Sequence, residues 1–249
     1  TRFILTLQEG KELNKQNFLI KFFRNLIIRK ADVITAISNY LANHAKKINP
    51  KAELHFIPNG VDLGKFRYMP NSEDNTVITV SRLVSKNGIE DLIKAMVLVK
   101  KEINDAKLII IGSGPLEKKL KQSIKDFNLE GHVIMAGSQS PENVAGYLAK
   151  AKVFARPSLS EGLGTAFLEA MAVGLPVIGT AVGGIPDFLK DGQTGLFCKV
   201  GDPQDLAEKI KILLTNRELR MKLIDNGRKL VTEKYDWNII AWKFRDIYI

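Results

Sequence analysis

Residues Val153 to Pro176 read VFARPSLSEGLGTAFLEAMAVGLP, and the remainder of the chain is organised around them. A short apolar strand, Val153 to Ala155, is predicted to run into a Pro157-Ser158-Leu159-Ser160 turn. Glu161 and the glycine turn Gly162-Leu163-Gly164 follow, and a helix is predicted to open near Thr165. Ala166, Phe167, Ala170, Met171 and Val173 suit one buried face at helical spacing. Gly174 fits a left-handed cap, and Pro176 stops continuation. The mouth of this helix carries the chemistry. Glycines bring bare backbone N–H groups close to a ligand, and a helix N-terminus favours an anion. Glu161 stands before the helix, and Glu169 lies about 7–8 Å further on at 1.5 Å per residue. Carboxylates are good acceptors for sugar hydroxyls. A ligand with a central diphosphate and a sugar at each end satisfies all these groups.

Glu161 and Glu169, with RPSLSEGLG and LEAMAVGLPVIGT around them, resemble the E-x7-E signature of retaining GT-B glycosyltransferases of family 4. The resemblance covers nearly the whole chain. It implies an α/β, GT-B-like fold with one complete doubly wound Rossmann-like domain and part of a second, the protein being N-terminally truncated. The expected division is a partial acceptor-side domain and linker at 1–70 and a donor-binding domain at 71–235. A C-terminal helix at 236–249 is expected to cross back. PNGVD at Pro58 to Asp62 is similar to the family's interdomain stretch.

The rhythm of the residues agrees with this division. Strands are predicted at Phe3 to Leu7, Asp32 to Ser38 and Leu54 to Pro58, with helices at Asn17 to Lys30 and Asn39 to Lys47. A polar linker, Tyr68 to Asn75, precedes a fresh alternating series. Its strands are expected at Thr76 to Ser81, Lys107 to Ile111, His132 to Ala136, Val153 to Ala155, Pro176 to Thr180 and Gly195 to Cys198. Helices are expected between them, then at Pro203 to Leu214, at Arg217 to Val231 and beyond Asp236.

Ligands of open α/β sheets bind at the carboxyl ends of strands. Arg82, after the first strand of the second series, is placed to pair with a diphosphate. In the family a phosphate-binding Lys follows five residues after that Arg. Asn87 stands at this position here, and the neighbouring Lys86 is the candidate substitute. GSGP, with Gly112, Ser113 and Gly114, forms a strand-turn-helix junction. It lacks the third glycine of the dinucleotide fingerprint, because Glu117 stands there. In the family it lies beside the donor. Ser138 and Gln139 fall in the stretch that frames the nucleobase. Gly183 and Gly184 offer a second glycine pair at another helix mouth, either closing on the diphosphate or serving a loop that needs unusual φ values. Gln8 occupies the place of a family His that reaches the donor sugar, so that contact is either dispensable or rebuilt by Gln8 and Glu9.

The resemblance implies transfer of a sugar from a UDP- or GDP-sugar to an acceptor hydroxyl with retention of anomeric configuration. Arg82, Lys86 and the Gly162 to Thr165 helix mouth would stabilise the departing diphosphate. Glu169 would hold ribose hydroxyls and Glu161 the transferred sugar. The alternatives are a sugar phosphorylase on the same fold and a non-enzymatic nucleotide-binding module.

The 249 residues carry 37 Lys and Arg against 27 Asp and Glu, a net charge of +10. That excess favours polyanionic partners, but no nucleic-acid module is visible, so nucleic acid is not an expected partner. Acceptors left open are a glycan, a lipid-linked sugar or a small molecule. A single cysteine, Cys198, fits a reducing, cytoplasmic setting. His44, His55 and His132 show no metal-ligand spacing and no Asp-x-Asp occurs, so no metal or cofactor is expected. Asn17 to Lys30 carries more apolar residues than one exposed face needs. It reads either as a core helix or as a surface helix touching the cytoplasmic face of a membrane.

Overall fold

Two all-parallel sheets carry the chain in the computed structural model, which describes residues 2–8, 17–69 and 74–248. The first sheet holds β1 (Ile4–Leu7), β2 (Val33–Ala36) and β3 (Glu53–Phe56) in the order β1-β2-β3. Its central strand, Val-Ile-Thr-Ala, is buried throughout, as a parallel strand covered on both faces should be. Helix α1 (Phe18–Lys30) joins β1 to β2, and α2 (Asn39–Ile48) joins β2 to β3. Ser38 caps α2 by accepting a hydrogen bond from the Leu41 amide.

The second sheet has six strands: β4 (Thr76–Val80), β5 (Lys107–Ile111), β6 (Val133–Gly137), β7 (Val153–Ala155), β8 (Val177–Thr180) and β9 (Leu196–Cys198). Their spatial order is β6-β5-β4-β7-β8-β9. Counted within the sheet this is 3-2-1-4-5-6, the doubly wound order, and its switch point lies between β4 and β7. The crossovers are α3 (Ile89–Glu102), α4 (Glu117–Asp126), α5 (Pro141–Ala149), α6 (Thr165–Val173) and the short α7 (Ile185–Phe188). After β9 come α8 (Pro203–Thr215), α9 (Arg217–Lys234) and α10 (Trp237–Tyr248). The α/β class and the doubly wound second sheet are as expected. Of the predicted linker, residues 70–73 lie outside the described residues, as does Glu9.

Near the start of α10 the chain pairs with the segment that follows β3. The Val61 amide donates to the Tyr235 carbonyl at 2.7 Å, and the Trp237 amide donates to the Val61 carbonyl at 3.2 Å. Gly60 allows this pairing, because a Cβ there would stand 2.9 Å from the Trp237 Cα. One apolar core spans both parts. Ala36, Ile37, Leu41 and Val61 belong to the same cluster as Phe154, Phe167 and Phe188.

One helix differs from the sequence expectation. α6 does not bury one face only. Phe167, Leu168, Ala170, Met171, Ala172 and Val173 are all buried, because α6 is packed against α5, α9 and β8. A helix apolar all round is an interior helix. α1 is turned the other way. Phe18, Leu19, Ile20, Phe22, Phe23, Leu26 and Ile27 are exposed, Phe18 by 77%, whereas Ile28 is buried and Lys21, Arg24 and Asn25 are half-buried. At about 100° per residue the exposed apolar arc is continuous. It borders a groove of about 420 Å³ whose walls include Leu5 and Leu7 of β1 and Phe23 and Ile27 of α1. Among the described residues no helix is long and apolar enough to cross a membrane.

Candidate functional site

A cavity of about 360 Å³ opens at the carboxyl ends of β4 and β7, the switch point of the second sheet. Ser81, Arg82 and Lys86 enter it from the loop after β4, Arg156 from the end of β7, and Glu161 to Ala166 from the approach to α6. The first sheet closes it with Gln8, Ile37 and Asn59. Of the predicted site residues, the structure therefore brings together Arg82, Lys86, Glu161, Gly162, Leu163, Gly164, Thr165 and Gln8.

The mouth of α6 is open, as expected. Its cap residue, Gly164, has φ +94° and supplies no side-chain cap. Thr165 and Ala166 line the cavity, and no described residue accepts a hydrogen bond from their backbone amides. These are the unpaired donors of a helix N-terminus, held where an anion can meet them.

Behind the mouth lies a buried ion pair. Arg156 Nη2 donates to Glu161 Oε2 at 2.5 Å, and both side chains are nearly inaccessible, at 7% and 14% exposure. Arg156 Nη1 donates to the Val80 carbonyl at 3.2 Å. The guanidinium also lies 4.7 Å from the centre of the Phe167 ring, a cation–π distance. The second Glu161 oxygen accepts the Gly162 amide at 3.0 Å. Burial lowers the Arg156 pKa while Glu161 and Glu169 pull it back up, and a guanidinium stays charged under such a balance.

Glu169 lies one to two turns into α6 and is half-buried. It is not among the residues that wall the 360 Å³ cavity. Its carboxyl pKa is raised by burial, with the Arg156 charge opposing. No described residue donates a hydrogen bond to it, so its carboxylate is not spent on the protein.

The loop after β4 carries Arg82, Lys86 and Asn87 to the cavity. The Asn87 side chain is buried and donates to the Arg82 carbonyl at 2.7 Å, which braces the turn. Lys86, one residue earlier, lines the cavity. Both residues lie in the short 3-10 turn Ser85–Asn87, and Asn87 also lines the cavity.

Several predicted residues stand outside this cavity. Gly112 has φ +131°, and a Cβ on it would lie 1.9 Å from the Ser81 carbonyl oxygen; one on Gly114 would lie 2.5 Å from that of Leu83. The GSG turn thus presses directly on the Arg82 loop, and the Leu83 amide donates to the Ser113 carbonyl at 2.9 Å. Ser113 and Ser138 meet through their hydroxyls at 2.9 Å. Gln139 turns inward to the Ala136 carbonyl and to Asn143. Gly183 and Gly184 were expected either to close on the diphosphate or to serve a loop of unusual φ, and Gly183 has φ +55°. Neither lines the cavity, and α7 is only four residues long. A Cβ on Gly183 would lie 1.7 Å from the Glu161 carbonyl oxygen, and one on Gly184 would lie 2.1 Å from that of Gly162. The pair lets two backbones touch, which holds the Glu161 turn from below.

Arg156 was the residue missed. Its signal was present: a cation directly after the apolar run Val-Phe-Ala, where Arg82 likewise follows a strand. Asn59, inside PNGVD, also lines the cavity, from the segment after β3. Cys198 is buried and its thiol is pushed up to about 12 by burial, which leaves it unreactive at neutral pH. Among the described residues no group of His, Cys, Asp or Glu is placed to hold a metal ion.

Residues 62–230 match the family model described as glycosyl transferases group 1. A GDP-mannose-dependent alpha-(1-6)-phosphatidylinositol monomannoside mannosyltransferase of Mycobacterium tuberculosis is 32% identical over 234 residues, covering 86% of this chain and 61% of that protein. An N-acetyl-alpha-D-glucosaminyl L-malate synthase of Bacillus anthracis is 31% identical over 243 residues, covering 93% of this chain and 62% of that protein. The chain thus spans less than two thirds of the length of these relatives. Among solved structures, the sucrose-phosphate synthase of Thermosynechococcus elongatus superposes with a TM-score of 0.88 at 25% identity, over 99% of this chain and 67% of that one. HepE of Anabaena, in complex with UDP and glucose, superposes with a TM-score of 0.90 at 19% identity, over 99% of this chain and 71% of that one. The latter likeness concerns the fold.

Proposed function

The chain belongs to the glycosyl transferases group 1 family, and we propose that it binds a UDP- or GDP-sugar and serves transfer of that sugar to an acceptor hydroxyl with retention. One observation carries this reading. A single cavity at the switch point gathers Arg82, Lys86, the free amides of α6 and Glu161. Cations and helix amides suit a diphosphate, and a carboxylate beside them suits sugar hydroxyls. Such donors cost no reorganisation as charge develops on the leaving diphosphate. In this reading Glu161 faces the transferred sugar, Glu169 receives ribose hydroxyls, and Gln8 and Asn59 complete the wall from the first sheet. Relatives named for GDP-mannose and structures holding UDP support both nucleobases.

Titration calorimetry with UDP, GDP and ADP, followed by the sugar-bearing form of whichever binds, tests the proposal. Binding of UDP or GDP and tighter binding of a matching nucleotide-sugar is the expected result. No measurable binding of any of the three at millimolar concentration overturns it. Turnover supported by added inorganic phosphate assigns a phosphorylase instead.

The outward arc of α1 belongs to the same proposal as a packing surface for further protein, continuous with the apolar groove beside β1. A longer form of the protein is then expected to stay in the supernatant with anionic vesicles. Sedimentation that falls as salt rises would instead place Lys21, Arg24, Arg29 and Lys30 against a membrane surface.

A further inference from the structure

We propose that Arg156 is the positioning residue of the donor site, its guanidinium fork aiming the Glu161 carboxylate at the sugar. The inference rests on the function proposed above. Among the described residues Glu161 has two fixed supports: Oε1 accepts from the Gly162 amide, and Oε2 accepts from Arg156. Arg156 is itself clamped on three sides. Nη1 bonds the end of β4 through the Val80 carbonyl, the Phe167 ring lies 4.7 Å away, and the residue is 5% exposed. Its backbone stays in the sheet, with the amide donating to the Ile178 carbonyl at 3.0 Å. A rigid cation anchored to β4, β7 and α6 is well suited to hold one carboxylate rotamer.

The same cation removes an electrostatic conflict. Two carboxylates, Glu161 and Glu169, share the neighbourhood of a site meant for a doubly charged diphosphate. Arg156 is the charge that both of them feel. Gly164 makes room for the arrangement, because a Cβ there would stand 3.1 Å from Arg156 Nη2 and 3.4 Å from Glu161 Cγ. The glycine turn therefore serves the ion pair as well as the ligand. Arg156 forms part of the cavity wall, with Nη2 engaged by Glu161 and Nη1 by the Val80 carbonyl. It acts through Glu161.

Charge and fork are separable by substitution. Arg156→Lys keeps the charge and loses the two-pronged geometry. Free nucleoside diphosphate is expected to bind this variant within about twofold of the parent. The extra affinity of the nucleotide-sugar over the free nucleotide is expected to fall about tenfold, matching Glu161→Ala. In the double variant the two losses should not add, as for residues acting as one unit. Should Arg156→Lys fail to fold, Arg156→Gln, shorter and neutral and so stripped of the Glu161 and Val80 contacts, carries the same comparison. Equal loss for nucleotide and nucleotide-sugar, additive losses in the double variant, or collapse of both variants would each overturn a positioning role. If the parent chain binds no nucleotide at all, the proposed function fails first, and that outcome is distinct from these.

Discussion

Glu169→Ala is expected to weaken binding of the free nucleoside diphosphate by about 1–3 kcal/mol, the range for a lost charge-assisted hydrogen bond. Glu161→Ala is expected to leave free nucleotide binding nearly unchanged and to weaken only the sugar-bearing form. The ranking follows from where the two carboxylates sit. Glu161 lines the cavity and is already paired with Arg156. Glu169 lies deeper along α6, half-buried, with no donor among the described residues. A half-buried acceptor with no protein donor is open to ligand hydroxyls. Calorimetry on both variants with the nucleotide and the nucleotide-sugar decides it. The reverse ranking would turn the ligand end for end in the site.

The same residue couples binding to stability. Burial raises the Glu169 pKa above its ordinary value of 4.5. Because the folded value is the higher one, the stabilising contribution is present below pH 4.5 and is lost as pH rises through the folded pKa. Ionised Glu169 is therefore a cost at neutral pH, tolerated for the ligand. Glu169→Gln should melt higher than the parent at pH 7, and the difference should vanish near pH 4.

Much of this architecture was legible because local rules agreed with the fold. Apolar runs such as Lys107 to Ile111 and the Gly174-Leu175-Pro176 stop announce strands and a helix end without tertiary help. Spatial order is another matter. That β4 pairs with both β5 and β7 depends on crossovers no local pattern encodes. The site divides along the same line. Arg82 and the α6 mouth are local features, a strand end and a glycine turn. Arg156 is defined by a carbonyl from β4, a ring from α6 and a carboxylate beyond the turn, so its role appears only when those elements meet. Gly183 and Gly184 look like a ligand loop in sequence for a related reason. Glycine signals a close approach, but the chain alone does not say whether the approaching group is a phosphate or another backbone.

Gly183→Ala turns that last point into a measurement. The residue has φ +55°, in the left-handed region, and its Cβ would fall 1.7 Å from the Glu161 carbonyl oxygen and 2.8 Å from the carbonyl carbon. Gly192 has a similar φ of +66° with nothing within 4 Å of a Cβ. Gly192→Ala therefore isolates the conformational penalty of about 1–2 kcal/mol for a left-handed alanine. Gly183→Ala adds a backbone overlap that no side-chain rotation can relieve. A loss of about 4 kcal/mol or more is expected, in the range reserved for severe core damage, lowering the melting temperature by roughly 10 °C or more. The relief available to the chain is to lift the Glu161-Gly162 turn away from α7. That movement would pull Glu161 off Arg156, so the surviving folded protein should bind nucleotide-sugar no better than free nucleotide. Equal melting temperatures for the two alanine variants would mean that the turn yields freely, and Glu161 would then lose its claim to be held from below.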